Sequence, residues 1–515
     1  MNVIKGIFFA LWFSYSMASP ATNYFVSNSG NDLNDGKSVG LAFASVTKAT
    51  GIVSAGDTIF IRSGIYYMSS GKTGVTRGGN STKRACMWVY PGDERPILDF
   101  SAQPIGTDYG MNFRSSYWHV KGIRFRRAGG SGVCITKGTV TSAGVYNVFE
   151  FCDFYENRGE GMVLDEGCNN NLILNCDAYL NADYVSGSTT YTGGNADGFA
   201  PKLAVGTNNK FVGCRSWRNS DDGWDGYLKT TADDMTTILE NCWTWGNGYL
   251  NDGTTTTSSM NGNGFKMGGS DAKTLRHNFI VTNCLSFYNK AKGFDQNSSA
   301  GSLTLYHCTA YKNKSNNYYF NSSGVTFPAD KVFTIKNCVG DNSTVPSFRS
   351  GSVLTNNNWS ATAVDFVSID TTGISGPRKA DGSLPDLAFM HLQTTPKSML
   401  IDAGVDLGMP FNGNAPDLGC FESAGIPLSN NQLDYSTILV YFENGGERIV
   451  RFQSEKNQRI EIKVYSAMGV LLESFSNDAF TGMQEFKLGR SLNPGTYFCT
   501  LTAGGKIQTQ KISVR

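Results

Sequence analysis

Charge is scarce in this chain. Only 17% of its 515 residues are Asp, Glu, Lys or Arg, and the formal net charge is +1. Near-neutrality removes the electrostatic case for nucleic acid or an anionic membrane as a partner. There is no long Leu/Ala/Glu/Lys-rich stretch at helical spacing, which argues against a mainly helical enzyme. Long apolar runs are missing too. The one of note, Ile7 to Phe13, is too short to span a bilayer. With Lys5 before it and Ser16-Met17-Ala18 after it, that run reads as a secretory signal peptide over residues 1–18.

Glycine is abundant, with 59 copies, alongside many Asn, Ser and Thr residues, which suits an extracellular β protein rich in turns. Twelve cysteines in an exported chain would ordinarily suggest disulfides. Their spacing predicts otherwise, because seven of them belong to a repeat. A short apolar strand, a cysteine, an aromatic residue and an asparagine recur: Cys152-Tyr155-Asn157, Cys176-Tyr179-Asn181, Cys214-Trp217-Asn219, Cys242-Trp245-Asn247, Cys284-Phe287-Asn289 and Cys308-Tyr311-Asn313. Cys338 opens a degraded copy ending at Asn342. Units of this length cannot bury a core alone, so the repeat predicts a solenoid of parallel β coils spaced by about 4.8 Å. Stacking then aligns free thiols, aromatic rings and asparagines in columns, and parallel in-register thiols aim alongside one another rather than at each other.

A second strand follows each asparagine corner and opens with glycine and a large apolar residue: Gly161-Met162, Gly198-Phe199, Gly223-Trp224, Gly264-Phe265 and Gly293-Phe294. Between corner and glycine the chain swells twice, over 182–194 and 248–262, and these insertions are expected to wall a cleft. Tyr24 to Tyr67 reads as strands that cap and begin the solenoid, and Ile401 to Glu422 as its terminal coil. The expected domains are an all-β parallel β-helix over 19–422, a polar linker over 423–436, and a β-sandwich over 437–515.

Laying the second-strand glycines in register yields the candidate site. Asp197 and Asp222 each precede that glycine, Asp225 and Lys266 each lie two residues after it, and Asp221 adjoins Asp222. Taken singly, each aspartate is ordinary corner chemistry. Four together would repel severely without a cation, and carboxylates with water are what calcium takes. Lys266 is pulled two ways, since a metal ion favours its amine and the aspartates its ammonium.

These segments, Asn195-Ala196-Asp197-Gly198-Phe199, Asn219-Ser220-Asp221-Asp222-Gly223-Trp224-Asp225 and Gly262-Asn263-Gly264-Phe265-Lys266, resemble the calcium-site and base motifs of the family 9 polysaccharide lyases. The resemblance spans about Tyr24 to Glu422. It implies a right-handed parallel β-helix, Asp197, Asp221, Asp222 and Asp225 as calcium ligands, Lys266 as Brønsted base, and β-elimination on pectate. Lys202, Arg215 and Arg218 are candidates for binding substrate carboxylates, with Lys202 on the outward parity of its strand. The C-terminal segment, with Ile462 to Gly469 and Leu492 to Tyr497, resembles a type IX secretion sorting domain, implying export by the type IX machinery with removal of the domain; the protein is expected to be a monomer, secreted or at the cell surface. Three other readings stand beside pectate lyase: a rhamnogalacturonan lyase of the same fold, a β-helix glycoside hydrolase, and a non-catalytic calcium-dependent glycan-binding solenoid. None of the four histidines lies between glycines, which departs from the hydrolase pattern.

Overall fold

The computed structural model describes residues 21–137, 144–183, 193–229, 232–250, 252–321 and 324–423, and beyond them seven strands between Leu439 and Val514. The expected signal peptide and nearly all of the expected linker lie outside the described residues. The chain forms two compact units, Met1–Gly425 and Ile426–Arg515.

The first unit is a β-helix. Among the described residues its three parallel sheets contain twelve, ten and eleven strands, each strand pairing with those of the coils before and after it. Strands form here because apolar residues alternate inward: Phe199, Trp224, Phe265, Phe294 and Tyr318 follow one another up the second sheet and are all fully buried. Their ring centroids are separated by 5.0, 4.9, 5.0 and 5.1 Å, close to the rung spacing. The cysteine column is buried, and all twelve cysteines are unbridged. Burial pushes the thiols of Cys176, Cys214, Cys242 and Cys308 well above their ordinary range, so they serve as small core residues.

The asparagine corner is a continuous ladder of buried amides. Each side-chain oxygen accepts from the amide below, as in Asn181 Nδ2 to Asn219 Oδ1 (2.8 Å), Asn219 to Asn247 (3.1 Å) and Asn247 to Asn289 (2.9 Å). This ladder explains the glycines. A Cβ on Gly198 would lie 2.0 Å from Ser216 Oγ and 2.9 Å from Asn219 Nδ2, and one on Gly223 would meet Thr244 Oγ1 at 2.1 Å. Close approach, rather than backbone conformation, forbids a side chain there. Past Asn313 the ladder passes to Asn317 and then to Asp341. The expected terminus at Asn342 is therefore one residue out of register. A second ladder, Asn147-Asn171-Asn209, lines the entry to the first sheet.

One expectation is corrected. Residues 363–423 are not a terminal coil: they fold back along the outer face of the third sheet. Phe366, Phe389, Leu392 and Leu418 pack there with Trp217, Trp245, Phe287 and Tyr311, whose aromatic column would otherwise face solvent. Arg378 anchors this return, donating to Asp177 at 2.6 Å, with Arg215 on the same carboxylate at 2.7 Å. Most of the first insertion, residues 184–192, lies outside the described residues, and the expected cleft walls with it. Ala182, Leu250 and Met260 form one buried cluster, and Gly193 lies directly against Met260.

The second unit holds a three-stranded and a four-stranded antiparallel sheet. Ile460, Ile462, Val464 and Leu501 alternate inward, as the period-two pattern requires.

Asn247→Ala is expected to lower stability by about 3 kcal/mol, since it strands buried partners above and below; equal denaturation midpoints would refute the ladder's role. Although burial alone would raise it, Arg378 and Arg215 pull the Asp177 carboxyl down to about 2. That stabilisation is complete above the ordinary aspartate pKa of about 3.9 and is lost as pH falls through about 2. Asp177→Asn should therefore flatten the acid limb of the unfolding curve.

Candidate active site on the second sheet

The acids meet because the coils are in register. Phe199 pairs with Trp224, Trp224 with Phe265, and Asp225 with Lys266. Residues before the glycines therefore form one column and those two positions after form another. Oxygens of Asp197, Asp221 and Asp222 lie within 4.8 Å of one another, and all three residues are buried. Asp225 is not one of this triplet. Its carboxylate lies beside both lysines, 3.4 Å from Lys266 Nζ and 3.6 Å from Lys202 Nζ. Lys266 Nζ is also 3.0 Å from Asp222 Oδ2.

Backbone groups hold the acids in place. Asp197 Oδ1 accepts from the Asp222 N–H at 3.1 Å, Asp221 Oδ1 from Asn261 N–H at 2.7 Å, and Asp222 Oδ1 from both nitrogens of Asn263 at 2.6 and 2.9 Å. Asp222 Oδ2 accepts no well-directed hydrogen bond, and Lys266 is its close charged neighbour.

Two residues at the site escaped the sequence reading. Glu160 is 2.7 Å from Lys202 Nζ. It immediately precedes Gly161 and so belongs to the column of Asp197 and Asp222 by the same register rule. Asn263 occupies the next place in that column. Extending the column by one glycine in each direction would have found both.

Lys202 is present, yet not as a free cation for substrate. Its ammonium is 7% exposed and shared among Glu160, Asp197 and Asp225. The other two expected substrate residues lie elsewhere. Arg215 is on the third sheet, its guanidinium donating to Asp177 and to the carbonyls of Ile374 and Gly376. Arg218 is exposed at the corner beyond Trp217, beside Gly253 of the second insertion. Both are one strand too early in the coil to reach the second sheet.

Five carboxylates (Glu160, Asp197, Asp221, Asp222, Asp225) face two ammoniums, a deficit of three charges if all ionise. The deficit appears in the acidities. Burial chiefly holds Asp197 well above the ordinary carboxylate range, with Lys202 opposing and the other aspartates adding. Asp221 is raised the same way, by burial and then by Asp222. Asp222 is also raised, burial outweighing Lys266, whereas at Asp225 the two lysines outweigh burial and lower it. Burial would favour neutral amines, but the surrounding acids raise both Lys202 and Lys266 well above the ordinary lysine range. An oxygen-only donor set in negative surplus, with one oxygen poorly satisfied, suits a hard divalent cation.

Fold and likeness together define the class: a polysaccharide lyase built on a parallel β-helix. The model of the family described as Pel9A-like, right handed beta helix region, matches residues 24–338, and the chain belongs to that family. It is 34% identical to pectate lyase L of Dickeya dadantii over 413 residues, which span 78% of this chain and 90% of that protein. The crystal structure of pectate lyase Pel9A superposes with a TM-score of 0.66 at 32% identity, covering 79% of this chain and 98% of that one. A rhamnogalacturonan lyase superposes with a TM-score of 0.62 at 26% identity, covering 73% and 97%.

Lys202→Met should lower stability at neutral pH by about 3–5 kcal/mol, because the buried Asp197 and Asp225 and the partly exposed Glu160 lose their shared ammonium. The loss should shrink as the pH is lowered, because burial holds the Asp197 carboxyl well above the ordinary range and it takes up a proton first. Denaturant unfolding at neutral and at lower pH checks this, and a pH-independent loss would show that packing, not charge, was removed.

Proposed function

We propose that the protein is a secreted, calcium-dependent pectate lyase that cleaves uronate-containing pectic polysaccharide by β-elimination, with Lys266 as the base. The observation that carries this reading is the position of Lys266 Nζ, 3.0 Å from Asp222 and 3.4 Å from Asp225, beside the buried acid triplet. The names of the relatives, two of them pectate lyases, support the substrate class.

Asp197, Asp221, Asp222 and Asp225 would hold the calcium, which when bound draws charge from a uronate carboxylate and acidifies the C5 proton beside it. Lys266 then has two tasks. It must first be an amine, and the carboxylates that now keep it protonated lose that hold once their charge is neutralised. It must next take the C5 proton, after which the C4 glycosidic oxygen leaves and an unsaturated sugar end remains. Lys202 keeps Glu160 and Asp197 in place, and the Asn263 amide orients Asp222. A lysine base places the activity optimum on the alkaline side.

A rhamnogalacturonan lyase is the second reading, favoured by the solved rhamnogalacturonan lyase of the same fold. Membership of a lyase family replaces the hydrolase and binding-only readings. The second unit we assign to type IX export, on the likeness of its sequence. The described residues hold no helix long and apolar enough to cross a membrane.

Polygalacturonate with calcium is expected to yield ultraviolet-absorbing unsaturated product. Lys266→Ala should abolish it while leaving the circular dichroism spectrum unchanged, and normal turnover by that variant would end the lysine-base proposal. Asp222→Asn should weaken calcium binding at least tenfold by calorimetry; unchanged affinity would place the metal elsewhere. Asp197 and Asp221 have raised folded pKa values, so the stability they supply is greatest in acid and is lost as pH rises through those values. With chelator present, the melting temperature should therefore climb as pH falls from 8 toward about 5, and calcium should remove that slope. A chelator-treated protein with no such slope would count against a charge-strained site.

A further inference from the structure

On the third sheet, away from the acid cluster, the structure has a cavity of about 520 Å³ between the outer strand faces and residues 375–378 of the returning segment. Ligand pockets run from about 300 to 1,000 Å³. Four guanidiniums line it, Arg95, Arg124, Arg215 and Arg378, against two carboxylates, Asp153 and Asp177, a surplus of two positive charges in a chain that is otherwise near neutral.

The two halves of this cluster differ. Arg215 and Arg378 are buried and spend their donors on Asp177 and on backbone carbonyls, which fixes the returning segment. Arg95 and Arg124 share the single carboxylate of Asp153 and are 25% and 30% exposed. Arg95 makes a bidentate pair with Asp153 at 2.8 and 2.8 Å and reaches the Phe151 carbonyl. Arg124 gives Asp153 only its Nε, at 2.9 Å, and touches the Tyr179 hydroxyl at 3.3 Å. Among the described residues, Nη1 of Arg124 meets no acceptor. The Tyr179 and Trp217 rings also border the cavity, but each is stacked face to face with its neighbours in the aromatic column, so their faces are already covered.

We propose that this cavity is a second, non-catalytic binding site for a short uronate oligosaccharide, with Arg124 receiving a sugar carboxylate. The choice of uronate rests on the pectate reading above. A planar guanidinium with N–H groups left over matches a carboxylate, and the cavity's surplus of positive charge favours an acidic sugar over a neutral one. Holding one segment of polymer here raises the effective concentration of the rest of that polymer at the acid cluster.

The test is calorimetric titration of the full chain with trigalacturonate in excess chelator, which removes the metal-dependent contribution of the catalytic groove. Arg124→Gln leaves Asp153 paired with Arg95, and Ser375→Trp obstructs the cavity without touching an ion pair. Both are expected to weaken binding at least tenfold, with melting temperature retained and with unchanged kcat on trigalacturonate in calcium. Absent binding in chelator, or unchanged affinity in both variants, overturns the proposal. So does equal binding of sulfate or of neutral maltotriose, which would make the cavity a general anion or sugar contact. Failure to detect unsaturated product sinks the pectate reading instead, and leaves the binding result to stand or fall separately.

Discussion

Register between coils is the constraint on which everything else depends. It is imposed in the buried corner, where each asparagine amide bonds the next and where Ser216 and Thr244 crowd the glycines of the following strand. A slip of one residue would put Trp224 outside, Asp225 inside, and an amide ladder without partners. Because such a slip is so costly, residues 25 and 41 positions apart in the chain, Asp197 and Asp222, then Asp222 and Asn263, are held within hydrogen-bonding distance.

That rigid frame is what allows a cluster of acids to exist without mutual relief. In a flexible loop the carboxylates would separate or turn to water. Here burial and backbone hydrogen bonds hold Asp197, Asp221 and Asp222 together, and their raised proton affinity is the cost of that geometry. Lys202 and Lys266 offset part of the charge and have different surroundings. Lys202 is enclosed by three carboxylates, whereas Lys266 lies at the outer column beside the Tyr227 ring, with Nζ 5.9 Å from its centroid. Lys202 bridges three coils, whereas Lys266 pairs, among the described residues, with Asp222 and Asp225 alone.

The third sheet's aromatic column is covered by the returning segment, tied down through Asp177 by Arg215 and Arg378. Ion pairs suit this task because they fix one register for a segment that has little regular secondary structure of its own, although a buried pair adds little net stability.

The period of the Cys-aromatic-Asn unit and of the Gly-aromatic strand determined the solenoid, its columns and the convergence of Asp197, Asp221, Asp222, Asp225 and Lys266, because in a stacked fold equal position in the repeat means adjacency in space. Glu160 was equally legible and was missed only because its coil was not followed to the residue before its glycine. Other features depended on contacts that do not repeat. Residues 363–423 have no period, so only the folded chain shows them crossing back over the aromatic column. Ala182 of the first insertion packs with Leu250 and Met260 of the second, and Lys202 became a buried counter-ion because three acids from separate coils surround it. Periodic sequence fixes what stacks; where an aperiodic segment lies, and which charge neutralises which, is decided by packing in three dimensions.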